Sequence, residues 1–263
     1  MLTGLAWLGL EVKYLEPARR FYEETLELSV RSDERTHPAL VAASSDADTD
    51  VGTATDTGGD DHREAETVVF RAGESDIVLR RPTSLPRGGV HTHFACSIPA
   101  AEYDDWWERL GATYDLDEHT FGDARSLYLY DPDGNCVELG QTTVDGPGID
   151  GIFEIVLEVA DLEAAEARYG ELGFETVDRG DDRQRVRMNG PMALELWEPQ
   201  LGLADARGGL HVDLGFETDD LGAVESALEG NVCSLERTES RLVARDPDGH
   251  HLTFLTVSGE QER

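Results

Sequence analysis

The sequence predicts an α+β protein assembled from four β-α-β-β-β units, two to a domain, and two pairs of internal repeats carry that prediction. The stretches "LAWLGLEVKYLEPARRFYEETLEL" (5–28) and "FEIVLEVADLEAAEARYGELGF" (153–174) share one outline: an alternating strand, a short acidic turn and an amphipathic helix. "GGVHTHFACSIPAAEYDDWWERLGA" (88–112) and "GGLHVDLGFETDDLGAVESALEG" (208–230) form a second such pair, and each of these two units closes with "DPDG" and a strand, at 131–139 and 246–254.

Taken in order, unit one opens with the strand around Trp7 and contains the segment "AASSDADTDVGTATDTGGDDHREAE" (42–66), too polar to bury much and expected as a solvated loop. In unit two, Trp106, Trp107 and Leu110 recur at helical spacing and are expected to pack inward. The cluster "TTVDGPGID" (142–150) lacks apolar periodicity, so it is expected to separate a first paired-unit domain, 1–142, from a second, 149–258. "DPDG" reads as a turn, with Pro setting φ and Gly accepting a positive one.

Composition narrows the setting. Asp and Glu number 55 against 22 Lys and Arg, Lys13 being the only lysine, and the net charge is −33. Such a chain repels itself in dilute salt and tolerates its charge where molar salt shortens the screening length to about 3 Å, which is the expectation for a halophile's cytoplasm. Nucleic acid is not an expected partner, and no basic segment followed by an apolar run suggests secretion or membrane insertion. Cys96, Cys136 and Cys233 are dispersed without metal-binding spacing and are expected as small core residues.

Strand alternation gives the candidate site. In "HTHFACSIP" the apolar face holds Thr92, Phe94, Cys96 and Ile98, so His91 and His93 face the other way. The same parity puts Leu127, Leu129, Val137 and Leu139 in the core and leaves Tyr128, Tyr130 and Glu138 on the histidine side. Imidazole and carboxylate aimed into one concavity suit a divalent metal, whereas an exposed sheet face would leave them merely solvated.

Paired units with "HFACSIP" opening one and "LYLYDPDGNCVEL" closing it resemble the vicinal oxygen chelate superfamily of glyoxalases, bleomycin-resistance proteins and extradiol dioxygenases, with the catechol 2,3-dioxygenase-like branch the nearest in pattern. The resemblance implies mixed sheets curled around a concave site, with a divalent metal, Fe(II) or Mn(II), weakly held or absent. It places His93 and Glu138 at ligand positions, with His91 as a substitute ligand, and it gives His119 and Tyr128 the catalytic proton-moving roles. Trp7 and Tyr130 are then the substrate-binding residues.

The pattern also departs from the family. If consecutive units share a site, the partner of His93 is Trp7, which cannot ligate, and the carboxylate that glyoxalase-type isomerases or lyases draw from the fourth strand of an odd-numbered unit is replaced by Val78. Glu154, Glu195, Asp213 and Thr253 hold the corresponding positions in the second half, and solvated carboxylates are expected there. His250 and His251 are read as turn-edge residues. The functional expectation is a metal-dependent extradiol-dioxygenase-like enzyme acting on a small aromatic diol or related oxygen-chelating substrate. The alternatives are a non-catalytic binder in which Trp7 stacks on the ligand and a glyoxalase-type isomerase or lyase. The expected partners are a small-molecule substrate and, at most, a second copy of the chain as a homodimer.

Overall fold

The computed structural model describes residues 2–32, 37–39, 67–82, 88–180, 184–199 and 209–256, so the acidic segment 42–66 lies outside the described residues. The fold is α+β and consists of the four expected units. Unit one comprises β1 (Leu2–Glu11), α1 (Leu15–Arg20), β2 (Ser29–Val30), β3 (Thr67–Ala72) and β4 (Ser75–Arg80). Unit two comprises β5 (Val90–Pro99), α2 (Tyr103–Gly111), β6 (Asp117–Phe121), β7 (Ala124–Tyr130) and β8 (Cys136–Thr142). Unit three comprises β9 (Ile152–Glu158), α3 (Leu162–Glu171), β10 (Glu175–Arg179), β11 (Arg185–Asn189) and β12 (Ala193–Trp197). Unit four comprises β13 (Gly209–Thr218), α4 (Leu221–Leu228), β14 (Ser234–Arg237), β15 (Arg241–Arg245) and β16 (His251–Thr256).

Within each unit the last strand lies parallel beside the first, and the remaining strands run outward antiparallel. The helices cover the outer faces. Leu15, Ala18, Phe21 and Tyr22 join Leu8 and Leu10 in the main core, and Phe94, Cys96 and Ile98 join Tyr103, Trp106 and Leu110. Local signals set the helix starts in the second half: Asp161 accepts from Ala164 N at 3.0 Å, and Asp220 accepts from Gly222 N and Ala223 N. These caps satisfy amides that a helix start leaves open.

The units do not pair in chain order. β5 lies antiparallel to β9, joining units two and three, and β1 lies antiparallel to β13, joining units one and four. This corrects the expectation that units one and two share a site. The short connection 143–151 leads from β8 to β9, which lies on the other side of β5, and the first strand is left to be closed by the last unit. Each pair forms an eight-stranded cup, and two residue pairs, Gly209 with His91 and Leu210 with Val90, join the cups.

The "DPDG" turns are built alike. Asp131 Oδ1 accepts from Asp133 N and Asn135 N, and Asp246 Oδ1 accepts from Asp248 N and His250 N. Gly134 and Gly249 carry φ of 87° and 92°, which only glycine adopts readily. Two details differ from expectation: Trp107 is exposed on the outer side of α2, and Cys233 is exposed. His250 stands at the turn edge and is fully buried there.

Candidate metal centre

The concave face of the cup formed by units two and three, the inner cup, gathers four side chains from four strands; units one and four form the outer cup. His93 comes from β5 and Glu138 from β8, the first and last strands of unit two; Glu154 comes from β9 and Glu195 from β12, the first and last strands of unit three. The registers Ala95–Glu138, Ala95–Glu154 and Glu195–Val156 bring the four strands side by side at this level. All four side chains are buried, so the expectation of solvated carboxylates at Glu154 and Glu195 is overturned. One ligand atom each from His93, Glu138 and Glu154 lies within 4.8 Å of the others. His93 Nε2 stands 3.2 Å from Glu138 Oε2 and 3.6 Å from Glu154 Oε1. Neither contact has hydrogen-bond geometry, which leaves Nε2 and Oε2 buried without a hydrogen bond.

Burial alone would lower the His93 pKa, but the adjoining carboxylates outweigh it and push it up to about 9. Burial alone would raise Glu138, yet the His93 charge holds it below the usual carboxylate range. Glu154 is raised, by burial first and then by the Glu195 charge working against His93.

Glu195 is held by other donors. Trp197 Nε1 donates to its Oε2 at 2.8 Å, and Arg185 and Arg187 donate to its Oε1 at 3.3 and 3.0 Å. The same Arg187 Nη1 also donates to Glu154 Oε2. Above these groups opens a cavity of about 640 Å³, walled by Phe121, Phe153 and Trp197 with Arg185, Arg187 and Gln141 at its polar positions. An imidazole with buried carboxylates beneath a partly apolar cavity is a donor set for a divalent ion and a chamber for a small molecule.

The other residues expected from the sequence are dispersed around this centre. Tyr128 lies beneath the cavity, its ring edge-on to His93 and to His119, each with centroids 5.5 Å apart. Burial, followed by the Glu138 charge, raises the Tyr128 phenol far above its ordinary value, so it stays protonated. His119 is half-buried on β6 and does not line the cavity; Tyr130 packs against Tyr128 and Cys136. The structure takes His91 away from the metal group. A register shift between His91 and His93 interrupts strand alternation, and His91 packs at the seam with its ring centroid 6.0 Å from that of His211.

Trp7 belongs to the outer cup. It is 1% exposed, donates from Nε1 to Asp213 Oδ2 at 2.9 Å and meets His37 edge-on. Thr253 also donates to Asp213, and Val78 holds the remaining position of that cup. Asp213 is buried, its pKa pushed up to about 6. The indole lies across β13 at Gly215, where any Cβ would collide with it. Trp7 is therefore closed off from a ligand, which removes the stacking surface that a binding-only reading requires.

Sequence reasoning paired His93 with Glu138 and grouped Glu154 with Glu195 and Asp213, but it did not join His93 and Glu138 to Glu154 and Glu195, and it missed Arg185 and Arg187. Their signal was present: "RVR" alternates two arginines onto one strand face opposite the glutamates.

Fold and site define a class: a protein of paired β-α-β-β-β units with one cup carrying metal-type donors and the other closed by an indole. Residues 4–139 match the Glyoxalase/Bleomycin resistance protein/Dioxygenase superfamily, and the chain belongs to that superfamily. No curated protein matches it by sequence. Among solved structures it is similar to glyoxalase I from Zea mays, at 16% identity and TM-score 0.63 over 96% of this chain and 92% of that one. It is also similar to the cppA protein from Streptococcus pneumoniae, at 12% identity and TM-score 0.54 over 97% and 98% of the two chains. At such identities the likeness is one of fold. Among the described residues, no helix is long and apolar enough to cross a membrane.

Proposed function

We propose that the chain is a metal-dependent isomerase or lyase of the glyoxalase kind, acting on a small molecule with two adjacent oxygens. One observation carries the reading: His93, Glu138, Glu154 and Glu195, from the first and last strands of units two and three, meet under one cavity. The objection raised by Val78 falls away with the pairing, because the fourth strand of the odd-numbered unit in this cup is β12 and it supplies Glu195.

His93, Glu138 and Glu154 suit Mn(II) or Fe(II), with His93 Nε2 and Glu138 Oε2 buried and without a hydrogen bond. When bound, such an ion supplies Lewis acidity toward the substrate's adjacent oxygens. Glu195 then acts as the base, its carboxylate steered by Trp197 Nε1, taking a proton from the carbon that bears one oxygen and returning it to the neighbouring carbon. Tyr128 keeps its proton beside Glu138, and Phe121, Phe153 and Trp197 limit water around the substrate.

The test is exchange of carbon-bound hydrogen with deuterated solvent, followed by NMR for Mn(II)-loaded protein with a panel of α-hydroxyketones. Glu195→Gln should slow exchange by about 10²-fold or more while Mn(II) affinity stays within a few-fold. Exchange undiminished in that variant, or absent across the panel in the wild type, contradicts the reading.

The ring train His119–Tyr128–His93 favours a second reading, an extradiol dioxygenase in which His119 and Tyr128 move protons at the ring-cleavage step. One imidazole with three carboxylates departs from the two-histidine, one-carboxylate set of that chemistry, which is why it stands second. Iron-loaded protein given catechol and then oxygen distinguishes the two, by yellow product lost in His119→Ala and Tyr128→Phe.

A further inference from the structure

The geometry points to Arg187 as an internal cation that competes with the divalent metal for the carboxylates of the inner cup. This rests on the metal reading above and adds to it a residue that opposes loading. Arg187 Nη1 donates both to Glu154 Oε2 and to Glu195 Oε1, so one guanidinium stands between two of the cup's three glutamates. Glu154 is divided by it: Oε1 faces His93 while Oε2 faces Arg187. Glu195 has its other oxygen taken by Trp197 and is shared further with Arg185. Of the four convergent side chains, Glu195 alone stands apart from the ligand cluster, held by Trp197, Arg185 and Arg187, and of these donors Arg187 alone also reaches the metal-type ligand Glu154.

The physical consequence is competition. A divalent ion on His93, Glu138 and Glu154 meets a positive charge on the far oxygen of one of its own ligands, at a carboxylate buried enough for charges to be less well screened than in water. Arg187 also stands between Glu154 and Glu195, offsetting the repulsion of two like charges. It therefore stabilises the cup before the metal arrives and must yield when the metal does. The side chain has room to do so: it lines the 640 Å³ cavity and is 31% exposed, unlike the glutamates it binds.

The opposite role, Arg187 as a brace that orients Glu154 for the metal, predicts the opposite result on removal. The experiment is calorimetric Mn(II) titration of the whole protein in high salt, for wild type, Arg187→Ala and Arg187→Lys, with melting temperature read in chelator and in excess Mn(II). Arg187→Ala should bind Mn(II) at least about tenfold tighter, equivalent to ~1.4 kcal/mol. It should melt lower than wild type in chelator and recover most of that loss in Mn(II). Arg187→Lys keeps the charge without the fork that spans both carboxylates, so it should fall between the two. Unchanged or weaker Mn(II) binding by a folded Arg187→Ala overturns the proposal and leaves the metal site standing. No Mn(II) binding by wild type or either variant overturns both.

Discussion

Replacing Trp7 with alanine should weaken the fold severely and leave the inner cup working. Trp7 is 1% exposed, and its indole fills the space that Val69, Val78 and Ala39 surround. Truncating a buried tryptophan costs about 3–5 kcal/mol. At about 2–4 °C per kcal/mol for a chain of this size, the melting temperature should drop by roughly 6–20 °C. Trp7→Phe isolates the polar part, because the ring stays while the N–H that Asp213 accepts is gone. A buried acceptor deprived of its donor costs about 1–3 kcal/mol. The sign of its pH dependence follows from Asp213, whose folded pKa burial pushes up to about 6 from an ordinary 3.8. The folded state holds that proton between the two values while the unfolded state releases it, so this group's contribution to stability declines as pH rises from about 4 to 6. The lost N–H favoured the charged form, so Trp7→Phe should cost more above pH 6 than at pH 4. Thermal unfolding across that range, paired with Mn(II) titration, is the assay. A Trp7→Ala variant that melts like wild type, or one that stays folded and loses metal binding, refutes the reasoning.

Melting temperature should climb as KCl rises from low to multimolar concentration, because the net charge of −33 is self-repulsive until screened; a flat profile would give the acidic composition another cause. Below about pH 6 the fold should lose stability. Burial, with neighbouring histidines, pushes the His91 pKa down to about 3 and His211 well below its ordinary value, so the unfolded chain takes up protons that the folded one refuses. His93 works in the other direction: its raised pKa, about 9, adds stability below about 6.5 that fades as pH climbs through 9. His91→Leu should flatten the acid limb, and an unchanged limb in pH-dependent melting contradicts that assignment.

The units were legible because strand and helix periodicities differ and the repeats restate them: Leu127, Leu129, Val137 and Leu139 all reach the core that alternation assigned to them. The eight cup positions were legible for the same reason, as Trp7, Val78, His93, Glu138, Glu154, Glu195, Asp213 and Thr253. Their pairing was not. Four first strands of similar pattern can join edge to edge in more than one order, and what selects β5 with β9 is chain reach and closure, which no single strand encodes. Alternation failed at His91, where a register shift breaks the period, and at Trp107, where helical spacing did not reveal that the neighbouring face of α2 is bare. Burial of Glu154 and Glu195 was hidden because a carboxylate reads as solvated until its arginines and facing histidine are known.

Sharing of one metal site by units two and three can be read from Mn(II) binding measured through electron paramagnetic resonance on wild type, Glu154→Gln and Asp213→Asn. One ion should bind per wild-type chain, Glu154→Gln should lose binding by tenfold or more (about 1.4 kcal/mol), and a folded Asp213→Asn should be unchanged. Binding that survives Glu154→Gln intact, or that disappears with Asp213, would contradict the shared site.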